Sequence, residues 1–157
     1  MPRGKQAPKR IVMPDPMYQS ELLGKFINTL MERGKKSTAE RIMYDAMDLV
    51  TQKVENANAV SIIEKALANA RPLLQLKSRR VGGATYQIPC EVREDKGITI
   101  VMRWIRDAAR TRKGRSMQER LAEELKDAYN GQGTAVKKRD EVHKMAEANR
   151  AFSHYRF

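Results

Sequence analysis

The chain changes its hydrophobic period once, between residues 73 and 90, and that single interruption constrains its fold more than any other feature. Leu74 and Leu76 alternate with Leu73, Gln75 and Lys77 there, and Thr85, Tyr86, Gln87 and Ile88 follow the pair Gly82-Gly83. Two β-prone runs about a Gly-Gly pair predict a hairpin, because the tight primed turns need positive φ. Pro89 cannot donate to a ladder, so its strand is an edge strand. Strands of about eight residues, at roughly 3.3 Å each, give an arm that reaches roughly 25 Å if it leaves the body.

Everywhere else the apolar residues recur at helical spacing. Leu22, Leu23, Phe26, Ile27, Leu30 and Met31 form the first stripe, with Ser20 as N-cap and Gly34 as stop. Ser37 with Glu40 is a capping-box pattern opening a second helix through Ala39, Ile42, Met43, Ala46, Met47 and Val50. A third runs from about Asn58 through Val60, Ile63 and Leu67 to Pro72. Helical spacing returns at Ile100, Val101, Trp104, Ile105, Ala108 and Ala109 for a fourth helix. Ser116 with Glu119 opens a fifth, through Met117, Leu121, Leu125 and Ala128, which Asn130-Gly131 ends. Thr134 is the expected cap of a sixth carrying Val136, Val142, Met145 and Ala146.

The expected architecture is therefore mainly α: one six-helix domain over residues 1–157 with a β-hairpin, 73–90, protruding between the third and fourth helices. Pro2, Pro8, Pro14 and Pro16 deny a helix to residues 1–19, which read as a basic extended arm. Residues 146–157 form a basic and aromatic tail, flexible on its own like the arm.

The charge is confined as sharply as the period. Of 157 residues, 31 are Lys or Arg and 19 Asp or Glu, a formal net charge of +12. Residues 1–10, 71–90, 101–115 and 137–139 hold 17 of the cations with one acid, Asp107, so the rest of the chain nets −4. A chain basic merely for solubility would mix its charges throughout. Confinement to a few segments is what a binding face for a polyanion requires, nucleic acid before membrane. The first twenty residues hold no apolar run, and nothing approaches the roughly 20 apolar residues of a spanning helix, so a soluble intracellular protein is expected.

Catalytic readings fail one by one. Gly34-Lys35-Lys36-Ser37 lacks the P-loop's upstream glycine, where Thr29 stands, and its hydroxyl directly after the lysine, where Lys36 stands. Cys90, the single cysteine, suits a small buried apolar residue better than a reactive thiol. It also excludes a disulfide framework and a multi-cysteine zinc site. His143 and His154 have no ligand cluster around them, and His143 suits a basic face or a structural hydrogen bond. Glu123 and Glu124 point about 100° apart on a helix and make no acid–base pair. No enzyme, metal, cofactor or small-molecule substrate is expected.

The fourth helix repeats Arg103, Arg106, Arg110 and Lys113 along one edge, with Arg112 and Arg115 prolonging it. With Asp107 as the one nearby acid, such a stripe repels itself by a few tenths of a kcal/mol per pair, a cost that bound phosphates would remove. Tyr86, His154, Tyr155 and Phe157 interleave with cations as base-stacking residues do, and a cross-strand pair suits Tyr86 equally well. No duplex-reading motif is present, so structured RNA fits better than DNA. An architectural DNA-binding protein with a basic β-arm is the alternative from composition, but the hairpin tip lacks an apolar wedge.

Lys77-Ser78-Arg79-Arg80-Val81-Gly82-Gly83-Ala84-Thr85-Tyr86-Gln87-Ile88-Pro89 closely resembles the hairpin of the bacterial-type small-subunit ribosomal protein seven family. Pro14-Asp15-Pro16, Gly34-Lys35-Lys36-Ser37-Thr38-Ala39, Met102-Arg103-Trp104-Ile105, Gly133-Thr134-Ala135-Val136-Lys137-Lys138-Arg139 and residues 146–156 extend the resemblance over the whole chain in order. Cys90 and residues 94–100 depart from the usual pattern.

The resemblance implies six helices with a protruding hairpin in a structural, non-enzymatic protein of the small ribosomal subunit, in the cytoplasm or an organelle. It implies primary binding to the 3′ major domain of 16S rRNA, nucleation of head assembly, and a place at the subunit interface near the decoding centre. The hairpin would lie beside the exit-site tRNA and the mRNA path, and small-subunit ribosomal proteins nine and eleven would be neighbours. Matching positions put Arg3, Lys5, Lys9, Arg10, Lys35, Lys36, Lys77, Arg103, Arg106, Arg110, Arg112, Lys113, Arg115, Lys137, Lys138 and Arg139 on rRNA. Arg79, Arg80, Gly82, Gly83 and Tyr86 would lie nearest tRNA and mRNA.

Overall fold

The computed structural model describes residue 4 and residues 12–54 and 58–155. Six α-helices, a hairpin and a C-terminal 3-10 helix follow in order: α1 Glu21–Leu30, α2 Lys36–Lys53, α3 Ala59–Ala70, β1 Leu74–Val81, β2 Ala84–Glu91, α4 Glu94–Thr111, α5 Met117–Tyr129, α6 Thr134–Ala148 and the 3-10 turn Arg150–Tyr155. The mainly helical architecture with a hairpin between the third and fourth helices is as the periodicity predicts.

α5 is the hub of the bundle and packs against α2, α3, α4 and α6. Its Leu121 and Leu125 are fully buried, and Phe26, Met43, Met47, Ile62, Met102 and Ile105 close around the same core. Each such side chain contributes about 1.5–3 kcal/mol relative to exposure. Asn69 on α3 ties down the end of α5, its amide donating to the carbonyls of Ala128 (3.0 Å) and Tyr129 (2.9 Å).

Helix starts separate local from tertiary causes. Ser20 caps α1 as expected, its Oγ accepting from Leu23 N at 3.4 Å, and Asn58 caps α3 through Val60 N at 3.3 Å. The other three expected caps do not form. α2 starts at Lys36 with no side-chain cap, because positive φ at Arg33 (51°) and Gly34 (74°) turns the chain before Ser37 is reached. Ser116 holds the N-cap position of α5, but its Oγ donates to the Glu119 side chain at 2.8 Å instead of accepting from the backbone. For α6 the cap position belongs to Gly133, at φ 94°, and Thr134 is the first helical residue. Its amide Ala135 N donates to Glu124 Oε1 of α5 at 2.9 Å, so a carboxylate from another helix replaces the local hydroxyl.

α4 begins six residues earlier than its apolar spacing suggests, with Glu94 and Asp95 in the first turn, where acids suit the helix dipole. Gly97 packs closely there: a Cβ would stand 3.0 Å from Arg71 Cγ, so that side chain would have to give by a few tenths of an ångström. The strands pair antiparallel from Leu74↔Glu91 to Val81↔Ala84, and Gly82 (φ 56°) and Gly83 (φ 88°) supply the primed turn. Ile88 and Cys90 bury the hairpin base, whereas residues 82–85 at the tip are exposed. His143 of α6 accepts the Leu73 amide on Nε2 at 3.0 Å, a structural hydrogen bond, one of the two roles expected of it.

The described parts of both terminal segments are tied to the body. The described part of the arm turns at residues 16–18 instead of staying extended. Asp15, only 3% exposed, accepts Met17 N (3.1 Å), Tyr18 N (3.0 Å) and the Tyr44 hydroxyl (2.6 Å). At the other end the 3-10 turn folds back on the hairpin. Tyr86 stacks on Tyr155 (centroids 5.5 Å apart, 29° between planes) and meets Phe152 at 5.1 Å. Arg79 Nη1 donates to Tyr155 O at 2.7 Å.

Candidate nucleic-acid interface

The arginine stripe of α4 divides into two kinds of residue. Arg103 is exposed and makes no hydrogen bond or ion pair among the described residues. Arg106 reaches the C-terminal carbonyl of Thr29 on α1 (3.3 Å) and pairs with Asp107 (2.8 Å). Arg110 reaches Leu30 O (3.3 Å) and Glu32 (2.8 Å). These two close the α1 C-terminus, where unsatisfied carbonyls and the dipole both favour a cation. The expectation of a stripe with one partner, Asp107, is therefore corrected: its other carboxylates come from distant parts of the chain.

Arg112 departs furthest from that expectation. Its guanidinium bonds Glu124 (2.6 Å from Nη2, 3.1 Å from Nε), Asp127 (2.5 Å) and Glu123 (3.4 Å). Burial works against its charge, but the hydrogen bonds and charges of Asp127 and Glu124 outweigh it and hold the pKa above the ordinary arginine value. Glu124 is fully buried. Arg115 pairs with Glu123, and Lys113 is exposed without a partner among the described residues. Arg120, which sequence reasoning passed over, gathers the end of α4 by donating to Arg112 O (2.7 Å) and Arg110 O (3.2 Å).

On α6, Lys137 is exposed and unpartnered among the described residues, and Lys138 Nζ lies 5.8 Å from the centre of the Trp104 ring. Arg139 is used internally, bonding Asn69 O at the end of α3 and Asp140 (2.8 Å). Lys144, exposed on the same helix, was masked in the sequence by Glu141 and Glu147 on either side. Lys35 and Lys36 stand exposed in the α1–α2 turn, Lys36 at 3.8 Å from Glu40.

On the hairpin, Lys77 and Arg80 point to solvent without partners among the described residues, while Arg79 and Tyr86 are engaged by the tail. A Cβ at Gly82 or Gly83 would meet nothing within 4 Å. Tyr86 packs on tail aromatics, an arrangement neither sequence alternative anticipated. Arg3, Lys5, Lys9 and Arg10 lie outside the described residues.

α6 packs against both β1 and α4, so Lys77, Arg103, Lys137 and Lys138 belong to three elements joined through α6. No group of three or more His, Cys, Asp or Glu among the described residues could hold a metal ion, and Cys90 is buried. No helix among them is long and apolar enough to cross a membrane. The chemistry offered is that of unpaired guanidinium and ammonium groups facing outward, suited to phosphates.

Comparison with known proteins agrees with that chemistry. The family model described as ribosomal protein S7p/S5e matches residues 2–150. Proteins described as small ribosomal subunit protein uS7 from Acidithiobacillus ferrooxidans, Eikenella corrodens and Nitrosospira multiformis are 51%, 54% and 55% identical to the chain, over its 157 residues and the full length of each.

Proposed function

The chain belongs to the ribosomal protein S7p/S5e family, as a non-enzymatic, rRNA-binding component of the small ribosomal subunit, and from that premise we propose that it is a primary binder of 16S rRNA. In this reading it organises the 3′ major domain and nucleates assembly of the head. It sits at the subunit interface near the decoding centre, its hairpin tip beside the exit-site tRNA and the mRNA path. Small-subunit ribosomal proteins nine and eleven are its protein neighbours.

The observation that carries the proposal is the sorting of its cations. Arg106, Arg110, Arg112 and Arg139 are consumed by carbonyls and carboxylates of the fold. Lys77, Arg103, Lys113 and Lys137 are left outward without partners among the described residues. A fold that neutralises the cations it needs internally, and leaves others unpaired on packed neighbouring elements, presents a phosphate-binding face. Arg79 and Tyr86 anchor the hairpin shaft, so Arg80 and the glycine turn are its free end.

Competition tests this reading. A fragment spanning the 3′ major domain should bind the full chain with affinity that falls steeply with salt. Duplex DNA at equal phosphate should fail to displace it. Equal displacement by DNA would mean that the face recognises charge alone.

A further inference from the structure

The unpaired Arg103 stands at the edge of an apolar groove that electrostatic interaction alone leaves unexplained. The groove, about 350 Å³, lies where the hairpin base meets α4 and α6, and Leu74, Leu76, Ile100, Trp104, Val142 and Met145 form most of its wall. Its size is that of a small-ligand site. Met145 is 48% exposed, so this apolar surface faces outward instead of closing into the core.

The charge at the groove is of one sign. Arg103 and Gln75 are its polar lining side chains, and neither makes a side-chain hydrogen bond or ion pair among the described residues. None of the lining residues is acidic. Lys138 lies outside the groove, in a neighbouring cleft that also holds Asp107, 5.8 Å from the indole centre. A flat aromatic with apolar walls, an amide able to donate and accept, and a free guanidinium is the complement of one nucleotide. The base would lie on the indole, its edge would meet Gln75, and its phosphate would meet Arg103. An apolar protein segment would complement the walls but leave Arg103 unanswered.

We propose that this groove is a nucleotide pocket, which takes one unstacked base of the bound rRNA against Trp104. The proposal rests on the rRNA-binding reading above and adds a site to it. Sequence-tolerant phosphate contacts fix where an RNA lies, whereas a captured base fixes its register.

Trp104 is the single tryptophan of the chain, so its emission reports on the pocket directly. The full chain would be titrated with a 3′ major domain rRNA fragment, following Trp104 emission, its accessibility to acrylamide, and affinity by a separate label on the RNA. Met145→Glu, which places a carboxylate in the groove, and Gln75→Ala, which removes the amide, would be compared with the parent.

Binding should quench the emission and shield the indole from acrylamide. Met145→Glu should weaken affinity about tenfold and shallow the salt slope, because its carboxylate competes with phosphate for Arg103. Gln75→Ala should weaken affinity several-fold with the slope unchanged, and neither should lower the melting temperature. If Met145→Glu fails to fold, Gln75→Ala alone carries the comparison. Tight RNA binding with unaltered emission, and with variants as tight as the parent, would overturn the pocket and leave the rRNA-binding reading standing. Absence of any RNA binding by the parent would overturn both. A Trp104 response to isolated small-subunit proteins, and none to RNA, would make the groove a protein-docking site and overturn the proposal.

Discussion

Glu124 grips Arg112 with one carboxylate oxygen, at 2.6 and 3.1 Å, and caps Ala135 N with the other, at 2.9 Å. One fully buried acid thereby joins the end of α4, the middle of α5 and the start of α6. Breaking a buried pair by removing one partner strands the other charge, at a cost of about 3–5 kcal/mol. Glu124→Ala should therefore lower the melting temperature by roughly 6–20 °C for a chain of this size. Arg112→Ala should do likewise, and neither should change the salt slope of rRNA binding measured below the melt. A thermal scan with a salt titration on each variant checks both halves.

Arg103 and Arg110 should behave oppositely although both belong to the α4 stripe. Arg103→Gln should leave stability within about 0.5 kcal/mol and shallow the slope of log affinity against log salt by roughly 0.7–0.9, one phosphate contact. Arg110→Gln loses Leu30 O and Glu32, and should cost about 1 kcal/mol of stability. Self-repulsion along the stripe, taken alone, implies that neutralising Arg103, Arg106 and Arg110 together leaves the protein at least as stable. The contacts of Arg106 and Arg110 with α1 reverse that expectation.

The Tyr44–Asp15 bond carries a pH dependence. Burial, then the hydrogen bond to Asp15 and its charge, push the Tyr44 phenol well above the ordinary value of 10.0. A raised pKa in the folded state means the contribution is fully present below about pH 10, the unfolded value, and is lost as pH rises toward the folded one. Tyr44→Phe should cost about 1–2 kcal/mol at neutral pH. The parent's stability should also fall more steeply than the variant's above about pH 10. Denaturant melts across that range, on both proteins, decide it.

Shortening the hairpin separates its tip from its shaft. Deleting Arg80, Val81, Ala84 and Thr85 keeps Gly82-Gly83 as the turn and brings it between Arg79 and Tyr86, which already pair across the strands. The contacts of both with the tail survive, so folding and most rRNA affinity should be spared. Retention of exit-site tRNA and reading-frame fidelity should change in ribosomes carrying the variant. Normal behaviour there would reduce the tip to an assembly contact.

The apolar stripes and the Gly-Gly pair made six helices and one hairpin legible, because helical and strand periods are local properties. What was hidden depends on pairs far apart in the chain. Arg112 read as an unpaired cation because its acids stand 11 to 15 positions later on another helix. The cap of α6 was hidden for the same reason, since Glu124 supplies it from α5. The tail was read as free, yet Phe152 and Tyr155 find Tyr86 across the fold. Charge windows locate basic segments, but sorting structural cations from outward ones requires tertiary contacts.

Crosslinking within assembled small subunits addresses that sorting most directly. A photoreactive group placed in turn at Lys77, Arg103 and Lys137, and at Arg112 for contrast, would be activated and its adducts identified. The first three should crosslink to nucleotides of the 16S 3′ major domain, and position 112 to protein alone. RNA adducts at 112 with none at 77, 103 and 137 would contradict the assignment of the unpaired cations to the rRNA face.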